Sequence, residues 1–175
     1  MSTCPLPDGY KPILNLRQTE EAICRVKDRF QEHLARALNL SRVSAPLFVL
    51  ADSGINDNLN GIERPAGFAV KAMGDARAEI VQSLAKWKRM ALADYGFGPD
   101  EGLYTDMNAI RPDEDLSPMH SIYVDQWDWE RVMRPEQRTR GFLEEIVGRI
   151  YGVIVATERH RSEEHTSELQ SRQVI

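Results

Sequence analysis

Cysteine is nearly absent from this chain. Its 175 residues hold two, Cys4 and Cys24, which form no CxxC pair and no metal-type cluster with the four histidines. That scarcity excludes a disulfide scaffold and predicts reduced thiols in a cytoplasmic protein. An excess of positive charge is absent as well: 22 Lys and Arg stand against 27 Asp and Glu, a formal net charge of -5. General nucleic-acid binding and docking on an anionic membrane both rest on such an excess, so neither is expected. No apolar run approaches the roughly 18 residues of a membrane span. The start, Met1-Ser2-Thr3-Cys4-Pro5, lacks the basic-then-apolar order of a secretion signal. No internal repeat is visible.

What is present is the make-up of an ordinary globular domain, with 42% hydrophobic and 28% charged residues in a chain long enough to bury a core as one domain. Ile23, Val26, Phe30, Leu34 and Leu38 recur at three- and four-residue steps, which predicts a helix from about residue 15. Asn15 or Thr19 would cap it and Asn39 would stop it. Glu20, Glu21, Lys27, Asp28 and Arg36 are expected on its solvated face. Residues 42–50 are short, apolar and rich in β-formers. Pro46 among them has no N–H for a ladder, and marks an edge, a bulge or an unusual pairing. Residues 52–58 have loop chemistry. Strands are expected at 67–72 and 79–83, and a helix at 84–95 with Leu84, Trp87, Ala91 and Leu92 inward and Gly96 as its stop.

The second half continues in the same alternating manner. Residues 103–111 read as extended and 112–118 as a loop bracketed by prolines. From His120 to Glu130 a two-residue period sets Ile122, Val124, Gln126 and Asp128 on one face and Ser121, Tyr123, Asp125, Trp127 and Trp129 on the other. A face that turns from aliphatic to polar suits the floor of a pocket. Leu143, Ile146, Val147, Ile150 and Ile154 describe a long final helix, weakened by Gly148 and Gly152. This order of elements fits an α/β or α+β domain with a mainly antiparallel sheet.

Three segments then carry a resemblance. Val43-Ser44-Ala45-Pro46-Leu47 leads to Asp57-Asn58-Leu59-Asn60-Gly61. Ser83-Leu84-Ala85-Lys86-Trp87-Lys88-Arg89 follows. Glu101-Gly102-Leu103-Tyr104-Thr105 runs through Arg111-Pro112-Asp113-Glu114-Asp115 to the stretch from His120 to Glu130. Together they resemble ammonia-dependent asparagine synthetase, or aspartate–ammonia ligase, a relative of the class II aminoacyl-tRNA synthetases, nearly continuously from about Tyr10 to Arg159. The resemblance implies a class II synthetase-like antiparallel sheet flanked by helices, and a homodimer. It also implies ATP-dependent activation of aspartate as β-aspartyl-AMP with release of pyrophosphate. Attack by ammonia then yields asparagine and AMP.

Each candidate residue has a plainer reading beside the implied one. Arg111 stands at the family's motif-two arginine, whose planar fork would hold the α-phosphate; otherwise it is a surface arginine paired with Asp113 or Glu114. Lys88 stands at the family's substrate lysine; otherwise it is solvated, as Lys86 and Arg89 are expected to be. Asp57 would accept the substrate ammonium, or simply close an Asx turn. Ser83 is the neighbouring serine of the aspartate site, and a helix cap suits it equally. Gln126 and Asp128 would read the substrate's polar ends, or form an ordinary strand edge. Met119, Ser121 and Val124 would line the adenine slot, or plain core. Trp87, Trp127 and Trp129 are expected to pack, and His120 receives no acid–base role. Residues 65–71 and the loop after Arg111 depart most from the family pattern, so no substrate contact is assigned to them.

Two rival readings remain. An aspartyl-tRNA synthetase catalytic domain would share the adenylate chemistry, but brings an anticodon module and basic surface of which nothing is seen. A non-catalytic dimerising fragment would be expected to lose Arg111, Lys88 or Asp57. A glutamine-dependent enzyme is disfavoured because Cys4 is not an N-terminal nucleophile. Family members continue beyond this chain, so the Mg2+ ligands and motif-three arginine are expected in the further part. Residues 1–160 then form the N-terminal part of the catalytic domain, inactive alone and with an apolar face exposed. The string from Arg161 to Ser171 shows no helical or strand period and resembles a translated sequencing-library adapter, so residues 161–175 are read as a non-native tail. The coding DNA is the check: its codons for residues 161–171 are expected to spell adapter sequence, and unrelated codons would return the segment to the protein.

Overall fold

The computed structural model describes residues 8–57, 59–118 and 120–171, with only the backbone of 161–171. Helix α1 (Leu16–Leu38) begins where side chains replace missing backbone partners. Asn15 Oδ1 accepts from the Gln18 N–H at 2.9 Å, and Gln18 Oε1 accepts from the Asn15 N–H at 3.0 Å. This capping box satisfies two otherwise orphaned donors. At the other end Asn39 adopts the left-handed conformation, φ 55°, one that asparagine tolerates. Its side chain donates to Asp100 O at 3.1 Å, and its carbonyl accepts from Gly102 N at 3.1 Å. The helix stop is thus also the joint that aims the chain into the sheet.

That sheet has the order β1 (Leu40–Arg42), β5 (Gly102–Ile110), β6 (Tyr123–Arg131). The β1–β5 pairing is parallel and β5–β6 antiparallel, with Thr105 opposite Asp128 and Met107 opposite Gln126. Gly102 occupies the crowded start of β5: a Cβ there would lie 2.7 Å from Leu40 Cδ2 and 2.9 Å from Arg131 Cα. A second sheet has the order β2 (Phe48–Leu50), β4 (Ala76–Ile80), β3 (Gly67–Val70), antiparallel throughout.

The expected stretch 42–50 therefore divides between the two sheets. Val43 N still donates to Tyr104 O at 2.9 Å, while Pro46, without an N–H, lies in the gap between β1 and β2. The expected strand 79–83 instead runs from Ala76 to Ile80. Gly74 and Asp75 take φ of 64° and 61°, which turns the chain early enough for Ala76 to pair with Val70. Gln82 leaves the ladder because its N–H donates to the Asn56 side chain at 2.9 Å.

Alternation along β5 and β6 builds a core on each face. On one, Tyr104, Trp127 and Trp129 pack with Leu34 and Leu38 of α1 and with Ile146 and Val153 of α3 (Arg140–Ser171). Phe30 and Trp127 stack with centroids 4.9 Å apart, and Arg149 of α3 donates to Ala37 O at 3.2 Å, capping the end of α1. On the other face Val81, Leu84, Met107 and Ala109 form a cluster joined by Val124 and Trp87. Beside it Leu103 packs with Ala91 and Leu92 of α2 (Ala85–Asp94).

Helix α3 covers only part of its apolar surface. Ile146, Ile150 and Val153 meet α1, whereas Leu143, Val147 and Ile154 stay exposed in a row with Tyr151. The expected period holds, and contact with α1 decides which of its residues are covered; the exposed row is an apolar face of the kind expected. The helix also continues through Ser171, beyond the expected break near residue 160. No glycine or proline follows Gly152 there, so good helix formers extend an existing helix without a new nucleus. Lys27, expected in solvent, reaches Asp125 at 2.8 Å and lies 5.8 Å from the Trp127 ring centroid. Among the described residues, no helix is long and apolar enough to cross a membrane.

Asp100, with φ of 69°, ties the sheet end to the lead-in of α3. It accepts from Gln137 Nε2 at 2.8 Å and Arg134 Nη1 at 2.7 Å, with Arg131 Nη2 at 3.4 Å. The Gln137 bond first, then the two arginines, hold its carboxyl below the ordinary value. A folded pKa below the unfolded value of about 3.9 stabilises fully above that value, and the contribution is lost as pH falls through the folded pKa. Asp100→Asn, which also tolerates this backbone, is expected to melt below the unsubstituted chain near neutral pH. Thermal melts should show the gap closing between roughly pH 5 and pH 2; a pH-independent gap would assign the loss to packing instead.

Candidate active site

The candidate residues lie on three segments, of which contacts join Lys88 to Asp128 and the loop before Asp57 to α2 through Lys86. The first is the loop after β2. Asn56 is 5% exposed: its Oδ1 accepts from Gln82 N at 2.9 Å, and its Nδ2 donates to Glu79 Oε2 at 3.3 Å and Ile80 O at 3.4 Å. Lys86 Nζ donates to Gly54 O at 3.2 Å and Asn56 O at 3.3 Å. Lys86 is therefore a tether of this loop and not the solvated lysine expected. Asp57 follows, half-buried, and its carboxylate makes no hydrogen bond or ion pair among the described residues. The Asx-turn reading of Asp57 is not what the structure adopts.

The second segment is α2. Ser83 Oγ accepts from Ala85 N at 3.2 Å, a turn contact ahead of α2, while Leu84 holds the N-cap position that the plainer reading gave to the serine. Lys88, whose plainer reading was a solvated lysine, is 6% exposed. Its ammonium contacts the Asp128 carboxylate, donates to Trp129 O at 2.9 Å, and lies 3.5 Å from Glu130 Oε2. A buried ammonium needs such partners, because desolvation otherwise outweighs its attractions. One cation facing two carboxylates leaves this cluster net negative when all three groups are ionised.

The third segment comprises β6 and its lead-in. Gln126, Asp128 and Glu130 follow one another on the face toward α2. Gln126 Nε2 lies 3.1 Å from Met107 Sδ. Val124 precedes them in the apolar cluster with Leu84 and Met107, so this face does turn from aliphatic to polar. Ser121 is exposed, its Oγ accepting from Tyr123 N at 3.3 Å. Met119 lies outside the described residues. His120 Nδ1 is 2.7 Å from Ser117 Oγ, a loop contact apart from the Lys88 cluster.

Arg111 opens the loop between β5 and β6, anchored by its N–H to Ile122 O at 2.8 Å. Its Nε is buried without a hydrogen-bond partner among the described residues. The plainer pairing with Asp113 does not occur, because Asp113 is taken by Arg64: Arg64 N donates to Oδ2 at 2.8 Å and Arg64 Nε to Oδ1 at 3.0 Å. Those Arg64 bonds hold the Asp113 carboxyl below its ordinary value. Asn56, Arg64, Lys86 and Glu130 were all missed by sequence reasoning. Extending the alternation of β6 by one step past Asp128 would have found Glu130; the contacts of the other three depend on tertiary placement.

The three tryptophans pack, as expected. Cys24 is an exposed free thiol, and Cys4 lies outside the described residues. A cavity of about 530 Å³ lies between the end of β6 and the start of α3, lined by Trp129, Glu130, Met133, Phe142, Leu143 and Ile146 among others, and so adjoins the Lys88 cluster through Trp129 and Glu130. It contains no expected site residue. Among the described residues, no group of three or more His, Cys, Asp or Glu is placed to hold a metal ion.

The sequence profile of the family described as Aspartate-ammonia ligase matches residues 17–173. The chain belongs to this family. It is 57% identical over 162 residues to the aspartate–ammonia ligase of Ruminiclostridium cellulolyticum, covering 93% of this chain and 48% of that protein. With the enzyme of the same name from Clostridium perfringens the identity is 61% over 153 residues, covering 87% and 46%. With that from Bacteroides fragilis it is 59% over 158 residues, covering 90% and 46%. The chain thus spans about half the length of the curated relatives it matches.

Among solved structures, a pyrrolysyl-tRNA synthetase from Desulfitobacterium hafniense superposes with a TM-score of 0.52. The identity is 15%, over 78% of this chain and 52% of that one. At that identity the likeness speaks to fold alone, and the fold is class II synthetase-like.

Among the candidate residues, Lys88 is the one whose removal should register most clearly in stability. Lys88→Met leaves Asp128 and Glu130 facing each other without their cation, and should cost about 3 kcal/mol in urea denaturation. Adding Asp128→Asn should recover at least about 1 kcal/mol relative to additivity; strict additivity would mean that the two side chains are not coupled.

Proposed function

We propose that this chain supplies the aspartate and α-phosphate portion of an enzyme that makes L-asparagine from L-aspartate and ammonia. ATP activates the side-chain carboxylate as β-aspartyl-AMP, with release of pyrophosphate. Ammonia displaces AMP from the acyl carbon. The observation that carries this reading is Arg111: its buried Nε is unpaired although a carboxylate stands two residues away. Burying such a donor without a partner is unfavourable, and an anionic ligand would relieve it. A phosphate oxygen fits the guanidinium fork.

The remaining roles are those the family resemblance implies, and the chemistry of the side chains suits them. Asp57, with its carboxylate uncommitted, accepts the α-ammonium of aspartate. Lys88 meets a substrate carboxylate by turning from Glu130, the longer of its two carboxylate contacts at 3.5 Å. Gln126 and Asp128 read the polar ends from the strand below, and Ser83 stands beside them at the start of α2. Val124 and Ser121 border the adenine, with Met119 assigned to the same slot. Forming the amide from an acyl phosphate mainly demands positioning and charge stabilisation, so no strong base is required. Mg2+ would neutralise the triphosphate, and none of the residues named here is assigned to hold it. Homodimerisation, catalysis by the extended protein and a cytoplasmic setting belong to the same proposal. Residues 161–175 take no part in it.

The decisive assay follows asparagine, AMP and pyrophosphate from aspartate, ammonium and ATP. The chain carried to the full length of its relatives should form all three in equal amounts. Arg111→Ala should lower that rate by about 100-fold or more, as expected for loss of a donor to developing charge. The 175-residue chain alone should show none; turnover by it would sink the view that a second half is needed, and ADP in place of AMP would sink the adenylate route.

A further inference from the structure

We propose that Asp113 is a positioning residue: with Arg64 it straps the far end of the Asp57 loop onto the Arg111 loop, and so sets how well the aspartate end of the site is ordered. This rests on the reading of Asp57 as the acceptor of the substrate ammonium. The loop is held differently at its two ends. At Asn56 the anchor is buried and shared among Gln82 N, Glu79 and Ile80 O, with Lys86 fastening the adjacent carbonyls. At Arg64 the inner contact is thin: its carbonyl accepts from Gln82 Nε2 at 3.4 Å. The outer contact is the strap, in which the Arg64 backbone N–H and guanidinium both donate to Asp113. Between these ends Asn60 N and Nδ2 bind the Glu63 carboxylate at 3.0 and 2.8 Å, which links residues 60 and 63 to one another.

Exposure decides which end opens. The Arg64 side chain is 78% exposed and that of Asp113 29%, so water and salt weaken the strap more than the Asn56 anchor. A simple surface ion pair would fix only two side chains. This one also engages the Arg64 N–H, so it fixes the path of the backbone. Arg111 does not depend on it, since the N–H of Arg111 is held by Ile122 O. Loss of the strap therefore frees the Asp57 loop and leaves the phosphate end in place.

Hydrogen–deuterium exchange on the chain tests the strap directly. In Asp113→Asn and in Arg64→Gln, amides within residues 56–64 should exchange about tenfold faster, with α1 and β5 unchanged as internal controls. The exchanged pair Arg64→Asp with Asp113→Arg should bring the rate back to within about twofold of the original. Unchanged exchange in Asp113→Asn, or an equal rise through α1 and β5, would overturn the strap. In the chain carried to full length, Asp113→Asn should raise KM for aspartate about fivefold and leave KM for ATP within about twofold. A shift in the ATP value alone would overturn the positioning role. If the unsubstituted full-length protein makes no asparagine, the functional reading fails, while the exchange rates still decide the strap.

Discussion

The register of β6 against β5 governs everything else in this structure. Nine residues of each strand pair, from Gly102 opposite Arg131 to Ile110 opposite Tyr123. Because successive side chains point to opposite faces, that one register sends Trp127 and Trp129 to α1 and α3, and Gln126, Asp128 and Glu130 to α2. A slip of one residue would bury three polar side chains between helices and set two indoles beside Lys88. The hydrophobic cluster on one face thus enforces the polar arrangement on the other. The Lys88 cluster is the reverse side of a packing decision.

Charge is distributed around this strand in two ways. Several groups are already matched: Lys27 with Asp125, Arg42 with Asp106, and Asp100 with Gln137 and its arginines. These ion pairs are partly exposed, and each contributes modestly. Asp57 and the buried Nε of Arg111 are left without partners among the described residues, and Lys88 is shared between two carboxylates. Groups in that condition are poor contributors to folding. Arg29 Nε, Gln82 Oε1, Trp127 Nε1 and Arg131 Nε are also buried without a hydrogen-bond partner among the described residues, so each such group calls for a ligand, a water or local strain to account for it.

Much of this was legible beforehand, for reasons that differ by element. α1 announced itself through its period and through Asn15 and Asn39, whose capping geometry is local and needs no tertiary partner. The two faces of β6 were readable because alternation is a property of the strand itself. The break at Pro46 was visible as an anomaly, but one chain segment shared by two sheets was not, since pairing partners are remote in sequence. Lys86 and Lys27 were placed in solvent by their helical surroundings, as was Lys88 in its plainer reading. Only the approach of Gly54, Asp128 and Asp125 from elsewhere in the chain reveals their actual contacts. Which residues of α3 are covered was likewise open to no local reading: period gives a helix, and the neighbour chooses its side.

The joint at Asn39 also says something about how the molecule comes together in time. Leu40 pairs in parallel with Gly102, and Arg149 caps the end of α1 across most of the chain. A parallel pairing cannot be made through a tight hairpin, and contacts between distant segments carry a large loop-closure entropy before they yield any gain. α1 can form early as a local helix, yet its docking must wait for β5, β6 and α3. The hairpin of β3 and β4, joined through Gly74, faces no such delay. Assembly is therefore expected to proceed from the middle of the chain outward, with the first helix among the last elements to lock.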